Sequence, residues 1–264
     1  MQNNLDFSKI KCFLLDMDGT VYLDGKVFDG AVNAINRMRE RAKVLFITNN
    51  SSKSREDYVD KLTYLGIPVK PDEIYTAGHA TIEYIIQNTK FRKIWLLGAH
   101  GLKEEFKASG LTIVNGTKLA PELVVVAFDT TLTYKDLAIV CEHIRHGVPF
   151  IATHPDFNCP MAGGEYIPDV GSFLALIKAS TGKSPALICG KPYAPIAKSV
   201  GSLVHLAPNE IAMVGDRLMT DMNFAINNGF KSILVLSGEA TRDDLAKSGM
   251  KVDAVINSIS DINF

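Results

Sequence analysis

The chain has 264 residues, of which 47% are hydrophobic and 22% are charged, and its formal net charge at pH 7 is -1. This composition is typical of a globular protein with a large core, and the near-neutral charge excludes a general electrostatic affinity for nucleic acid. The four cysteines are scattered without a Cys-x-x-Cys pair, which argues against a disulfide framework or a zinc knuckle and favours a reducing compartment. Because there is no signal-peptide pattern and no apolar stretch long enough to span a bilayer, we expect a soluble cytoplasmic protein.

The first strong pattern is an apolar run at residues 12–15 that ends at Asp16, with Asp18 and Gly19 close behind. A short apolar run closed by a turn signal predicts a buried strand. Two carboxylates at the end of such a strand are crowded and poorly solvated, so each raises the pKa of the other unless a cation neutralises them. The stretch therefore predicts a bound metal ion, a shared proton, or both.

The segment that follows alternates between strand and helix patterns. Asp24 and Gly25 indicate a hairpin that forms a small flap beside the two carboxylates. Helical spacing of apolar residues predicts helices at 31–41 and 55–65, and extended runs predict strands at 43–47 and 71–76. This alternation predicts a parallel sheet with right-handed crossovers.

A second alternation of strands and helices begins near residue 78 and continues to Gly182. The first pattern then resumes, with residues 186–189 extended and further strands at 211–214, 232–236 and 254–256. We therefore predict an α/β protein with a Rossmann-like parallel-sheet core at residues 1–78 and 183–264. Residues 79–182 are predicted to form a smaller inserted α/β domain. Within it, His143 and His146 have no carboxylate or cysteine partners in the pattern, so we predict a solvated helix face there.

Polar side chains follow four of the predicted core strands. They are Asp16 and Asp18, then Thr48 and Asn49, then Lys191, and last Asp216 with Asp221. Ligands of open parallel sheets bind outside the carboxyl ends of the strands. Carboxylates there attract a hard divalent cation, with Mg²⁺ favoured, whereas a hydroxyl, an ammonium and backbone N–H groups attract phosphate. Because a carboxylate can also attack phosphorus, the set predicts Mg²⁺-dependent phosphoryl chemistry.

The same residues resemble a known family. Residues 16–20 read Asp-Met-Asp-Gly-Thr and resemble the first motif of the haloacid dehalogenase (HAD) superfamily. Residues 46–51, 190–192 and 215–221 resemble its second, third and fourth motifs, in order and over nearly the whole chain. The insertion between the second and third motifs, together with residues 151–156, resembles the NagD-like (4-nitrophenylphosphatase-like) branch. That branch has the HAD fold with an inserted α/β cap of the C2 type.

The resemblance implies a role for each core residue. Asp16 would be the nucleophile, and Asp18 would protonate the leaving oxygen and then activate water. Thr48, Asn49 and Lys191 would bind the phosphoryl group. Mg²⁺ would lie between the side chain of Asp16, the backbone carbonyl of Asp18 and Asp216. Asp221 would orient the metal shell through water or through Lys191.

The predicted cap contains a loop bracketed by prolines, with His154 and Asp156 at its start. Two interpretations of these residues stay open: a rigid turn, or a loop that recognises the substrate above the core site. The NagD-like branch commonly has asparagine where this chain has His154.

The resemblance and the residue types together predict a Mg²⁺-dependent phosphatase that acts through an aspartyl-phosphate. Its expected partner is a small phosphorylated metabolite such as a sugar phosphate or a nucleoside monophosphate, with 4-nitrophenyl phosphate as an artificial substrate. We expect no nucleic-acid or membrane partner. Related capped enzymes often dimerise through the cap, so the resemblance makes a homodimer one possible assembly. The alternatives are a phosphotransferase or phosphomutase, and a non-catalytic regulatory protein that binds a phosphorylated ligand. The intact pair of aspartates weighs against the last of these.

Overall fold

Strands and helices alternate along the chain in the computed structural model, which describes residues 5–115, 120–161 and 165–264. The strands are β1 (Cys12–Leu15), β2 (Tyr22–Leu23), β3 (Lys26–Val27), β4 (Lys43–Thr48), β5 (Ile74–Thr76), β6 (Lys93–Leu97), β7 (Thr112–Ile113), β8 (Leu123–Val126), β9 (Phe150–Ala152), β10 (Asn158–Pro160), β11 (Tyr166–Pro168), β12 (Ile211–Gly215), β13 (Lys231–Val235) and β14 (Ala254–Ile256). The α-helices are α1 (Ala31–Arg39), α2 (Arg55–Tyr64), α3 (Ala77–Asn88), α4 (His100–Ala108), α5 (Tyr134–Arg145), α6 (Val170–Thr181), α7 (Ala194–Val204), α8 (Asn223–Asn228) and α9 (Arg242–Ser248). A π-helical turn, Leu218–Met222, precedes α8.

The chain divides into two compact units. The first comprises Met1–Thr48, Tyr58–Tyr75 and Lys191–Phe264, and the second comprises Asn49–Asp57 and Thr76–Gly190. The boundary after residue 48 falls at the end of β4, and the boundary before residue 58 falls inside α2.

The first unit is built on a six-stranded sheet with the strand order β14-β13-β12-β1-β4-β5. Strand β1 is parallel to both of its neighbours, and Leu15 lies opposite Val214 of β12 and Phe46 of β4. All four residues of β1 are buried, as expected for a strand that is covered on both faces. This arrangement confirms the predicted α/β class with a parallel-sheet core.

Helix α1 shows how the sequence covers one face of this sheet. Its buried residues are Ala31, Ala34, Ile35 and Met38, which recur at the spacing of one helix face. They join the side chains of β1 and β4 in a single apolar cluster. Burial of that face, at about 25 cal/mol per Å² of apolar area, holds the helix on the sheet.

The predicted flap hairpin is present in the first unit. Strands β2 and β3 pair antiparallel, with Tyr22 opposite Val27. Asp24 and Gly25 connect them with φ angles of 50° and 74°. A two-residue turn with both φ angles positive matches the right-handed twist of the strands, and Asp-Gly is a sequence that favours it.

The second unit contains a parallel four-stranded sheet with the order β7-β6-β8-β9. An antiparallel pair, β10 with β11, forms a separate two-stranded sheet. His146, the residue after α5, is exposed, but His143 within the helix is only 7% exposed and its ring lies 6.2 Å from that of Trp95. The prediction of a solvated face was therefore wrong for His143, because the helix turns that residue toward the apolar core.

Two segments that were predicted to lie in the core domain group with the second unit. Residues 186–189 are extended, but their backbone hydrogen bonds run to β9: Ala186 N–H donates to Phe150 O at 2.8 Å and Cys189 N–H to Ala152 O at 3.0 Å. Residues 49–57 belong to the same unit. The predicted boundaries at residues 78 and 182 stay a prediction.

Membrane-spanning helices are not found in the described parts of the chain, where no helix has the length and apolar character to cross a bilayer.

Candidate active site

The parallel register of the first unit brings together the ends of three strands. Because Leu15 is level with Phe46 and Val214, the next residue, Asp16, follows β1 where β4 and β12 also end. The Asp16 N–H donates to Val214 O at 2.9 Å, which continues the ladder by one residue. The carboxyl edge of the sheet therefore presents Asp16 beside the strands that end in Thr48 and Gly215.

Lys191 joins two of the predicted carboxylates. Its Nζ donates to Asp16 Oδ1 at 2.6 Å and to Asp221 Oδ1 at 2.7 Å. A third contact, 3.4 Å long, runs from Nζ to Ile47 O at the end of β4. Lys191 is 1% exposed, so its ammonium is removed from water. The hydrogen bonds to these oxygens replace those that water would otherwise provide.

The electrostatics of this group leave an excess of negative charge. Burial raises the pKa of Asp16 well above its usual range, Lys191 opposes that shift, and the charges of Asp221 and Asp216 add to it. Burial alone would lower the pKa of Lys191, but the charges of Asp16 and Asp221 outweigh burial and raise it. Burial, with the charge of Asp221 next, raises the pKa of Asp216 to about 6. Neighbouring carboxylates thus raise the pKa of Asp16 and of Asp216 even beside the Lys191 ammonium, and a further cation would relieve their repulsion.

Asp216 is held by a loop that follows β13. Its Oδ2 accepts the Glu239 N–H at 2.7 Å, and its backbone carbonyl accepts the Ala240 N–H at 3.0 Å. A Cβ atom added to Gly238 would lie 2.0 Å from Oδ2, and one added to Gly19 would lie 2.3 Å from it. Two glycines therefore let the backbone approach the carboxylate closely.

The other oxygen of Asp216 is where a metal ion fits. Among the described residues, Asp216 Oδ1 is buried and has no hydrogen-bond partner. Oxygen atoms of Asp16, Asp216 and Asp221 all lie within 4.8 Å of one another. Asp221 already accepts hydrogen bonds from Lys191 and from the Arg217 N–H at 3.1 Å. Asp216, by contrast, has an oxygen that can bind a metal ion without losing a hydrogen bond. A buried carboxylate oxygen without a donor, among other carboxylates, suits a divalent cation.

Asp18 differs from Asp16 in exposure and in partners. Its side chain is 42% exposed, and Oδ1 lies 3.8 Å from Lys61 Nζ. The Tyr22 hydroxyl donates to Oδ2 at 3.3 Å. Burial of Tyr22, and next the charge of Asp18, raises the pKa of the phenol well above its usual range, so the hydroxyl keeps its proton. Asp18 therefore keeps access to solvent while both of its oxygens have partners.

The remaining predicted residues fall in both units. Thr48 ends β4 in the first unit and is 4% exposed. Asn49 opens the second unit, where its side-chain amide donates to Asp156 Oδ2 at 3.2 Å. His154 is fully buried: Nε2 donates to Asp169 Oδ1 at 2.9 Å, and Nδ1 is hydrogen-bonded to the Thr153 hydroxyl at 2.9 Å.

These contacts bear on the two open interpretations of the cap loop. The His154 side chain has no exposed surface, and both of its ring nitrogens are hydrogen-bonded. These contacts favour a residue that stiffens a turn over one that reaches a ligand. His154, Asp156 and Asp169 also lie close enough together to hold a metal ion. Because Asp169 accepts from both His154 and the Val170 N–H, hydrogen bonds already satisfy this second group.

Comparison with known proteins shows the family to which the chain belongs. Residues 13–112 match the family model described as haloacid dehalogenase-like hydrolase, and residues 188–262 match a second one, described as HAD-hydrolase-like. An acid sugar phosphatase from Staphylococcus aureus strain MRSA252 is 35% identical over 236 residues, which is 89% of this chain and 90% of the relative. The chain belongs to the haloacid dehalogenase-like hydrolase family.

Solved structures place the chain among the phosphatases of the HAD family. The 4-nitrophenylphosphatase from Thermotoga maritima is 41% identical, with a TM-score of 0.91 and 96% of each chain covered. NagD from E. coli K-12 is 26% identical, with a TM-score of 0.87 over 96% of this chain and 98% of NagD. The predicted NagD-like resemblance is confirmed, and the chain is a HAD-type phosphomonoester hydrolase.

Several residues that contact the predicted site residues were missed in the sequence. Lys61 looks like an ordinary surface lysine on an amphipathic helix, and Asp169 looks like a helix cap, so neither carried a usable signal. Gly238 and Glu239 come shortly after strand β13, at the same sheet edge as the predicted motifs. A glycine soon after a core strand was a signal that could have pointed to them.

Proposed function

We propose that this HAD-family chain is a Mg²⁺-dependent phosphatase for small phosphomonoesters, with sugar phosphates as the favoured class. The observation that carries the proposal is the buried Lys191 bonded to Asp16 and Asp221, together with an Asp216 oxygen that receives no hydrogen bond from the described residues. The favoured class rests on relatives that are named acid sugar phosphatases.

In the first step, an oxygen of Asp16 attacks phosphorus. The bond between phosphorus and the ester oxygen breaks, and that oxygen leaves with its electron pair and takes a proton from Asp18. Lys191 orients Asp16 and balances charge on the transferring group, while Thr48 and Asn49 complete the phosphoryl pocket. Proton transfer of this kind is typically worth ~10²–10⁴-fold in rate.

In the second step, Asp18 takes a proton from water as the water oxygen attacks phosphorus. The bond between phosphorus and Asp16 breaks, which releases inorganic phosphate and restores the carboxylate. Asp16, the backbone carbonyl of Asp18 and Asp216 would hold Mg²⁺, and Asp221 would orient that shell through water or through Lys191. Bound Mg²⁺ supplies positive charge that stabilises the negative charge of the phosphoryl group.

The second unit, Thr76–Gly190 with Asn49–Asp57, corresponds in this proposal to the inserted C2-type cap. Its four-stranded parallel sheet and its own apolar cores support an independently packed domain.

A phosphatase screen tests the proposed function. The purified chain is assayed against a panel of sugar phosphates, nucleoside monophosphates and 4-nitrophenyl phosphate, with Mg²⁺ added or removed by chelation. We expect Mg²⁺-dependent turnover, with one inorganic phosphate released for each ester consumed. Phosphate release below substrate consumption would instead favour transfer to another hydroxyl, and no turnover at all would favour a binding protein.

The loop that holds Asp216 gives a separate prediction. Gly238→Ala places a methyl group against Asp216 Oδ2, so we expect the Mg²⁺ concentration for half-maximal activity to rise by about tenfold or more. Gly201→Ala in α7 is the matched control, because nothing lies within 4 Å of its added Cβ atom. Equal Mg²⁺ dependence in both variants would contradict the role given to the loop.

A further inference from the structure

Both carboxylate oxygens of Asp18 have partners in the first unit. The Tyr22 hydroxyl donates to Oδ2 at 3.3 Å, and Lys61 Nζ lies 3.8 Å from Oδ1. Tyr22 belongs to β2 and Lys61 to α2, so two different elements set the direction of the side chain. None of the predicted motif residues supplies these contacts.

Lys61 is restricted by more than the carboxylate. Its Nζ lies 4.0 Å from the centroid of the Tyr22 ring, within the range of a cation–π interaction. An isolated surface ion pair would hold its partners weakly, but the Lys61 side chain is only 26% exposed and rests on a ring that is fully buried. The three side chains therefore position one another.

The two aspartates of the first motif thus have separate lysines. Asp16 is bonded to the buried Lys191 at 2.6 Å, whereas Asp18 lies near the partly exposed Lys61 at 3.8 Å. The short contact suits a nucleophile that stays in place. The longer contacts orient Asp18 and leave it free to turn toward a leaving oxygen or a water molecule.

We propose that Lys61 and Tyr22 are positioning residues for proton transfer by Asp18. The inference rests on the proposed function, in which Asp18 protonates the leaving oxygen. This positioning role differs from a role in binding the phosphoryl group. A lysine that binds the phosphoryl group would assist the hydrolysis of every ester to the same extent. A residue that acts through Asp18 matters only where the leaving oxygen needs a proton.

Esters with different leaving groups separate these roles. The 4-nitrophenolate ion leaves readily without a proton, while phenolate is a poorer leaving group that gains more from general acid catalysis. Phenyl phosphate and 4-nitrophenyl phosphate share a ring and differ mainly in this respect. The ratio of kcat/KM for the two esters therefore reports on proton donation, and a loss of fold would not move it.

The experiment measures that ratio with saturating Mg²⁺ in the full chain. We expect Lys61→Gln and Tyr22→Phe each to lower kcat/KM for phenyl phosphate about tenfold, and for 4-nitrophenyl phosphate less than about threefold. Asp18→Asn should shift the ratio further in the same direction. Lys247→Gln and Tyr64→Phe are the matched controls, since both residues are exposed and outside the site, and they should leave the ratio unchanged.

A double variant tests whether Lys61 acts through Asp18. Adding Lys61→Gln to Asp18→Asn should cause no further loss with either ester, because residues that act as a unit are not additive. Lys61→Arg keeps a cation over the Tyr22 ring and should retain most of the wild-type ratio. This variant keeps the test possible if Lys61→Gln fails to fold. Equal losses on both esters, or a further loss in the double variant, would overturn the proposal. A wild-type chain that hydrolyses neither these two esters nor any other ester of the panel would overturn the proposed function and this inference with it.

Discussion

The Asp16→Asn variant is expected to lose turnover of 4-nitrophenyl phosphate by about 10⁴-fold or more, because the amide cannot form the covalent intermediate. The substitution also removes the charge of one of three carboxylates whose oxygens lie within 4.8 Å of one another. Asp221 remains as a partner for Lys191 at 2.7 Å. The thermal midpoint of the metal-free variant should therefore equal or exceed that of the wild type.

The combination of no activity and no loss of stability makes this test specific. Asp243→Asn, at an exposed position in the first turn of α9, is the matched control and should retain wild-type activity. Steady-state kinetics and thermal unfolding in chelator are the two measurements. Near-wild-type turnover in the Asp16→Asn variant would refute the assignment of Asp16 as the nucleophile. Unfolding of the variant would indicate instead that Asp16 is needed for stability.

Replacement of Lys191 by methionine is expected to have the largest effect on stability. Asp16 and Asp221 are 8% and 1% exposed, so removal of the ammonium leaves two carboxylates buried without their shared cation. Breaking a buried ion pair by removing one partner costs about 3–5 kcal/mol. We expect urea unfolding at neutral pH in chelator to show a loss of that order, and turnover to fall to background.

A matched ion pair on the surface of the same unit provides the control. Lys231 Nζ lies 3.0 Å from Asp253 Oδ1, but both side chains are about a third exposed. Because water screens such a pair, Lys231→Met should cost less than about 1 kcal/mol and leave activity unchanged. Similar losses for the two variants would show that Lys191 has no special role in holding the carboxylates together.

The local pattern was sufficient to predict the core of this protein. Apolar runs that stop at Asp16, Thr48 and Asp216 predict parallel strands, and parallel strands must bring their carboxyl ends to one edge. The chemistry of that edge follows from residue types, since carboxylates with an ammonium indicate a metal ion and a phosphate. Asp24-Gly25 likewise specified its turn, because few sequences tolerate two positive φ angles in succession.

Local pattern did not determine the contacts between residues that are distant in the sequence. Residues 186–189 look like a core strand, yet their backbone groups pair with β9, because an extended run does not specify which strand will accept its hydrogen bonds. His143 has the polarity of a surface residue but lies against Trp95. Helix α9 was not predicted, because Leu245 is its one buried residue and a single apolar position gives no helical spacing. Likewise, Lys61 meets Asp18 and Gly238 meets Asp216 only through packing. Residue type and spacing predict which groups reach the edge of the sheet, whereas the distances that orient them depend on side chains brought together by the folded chain.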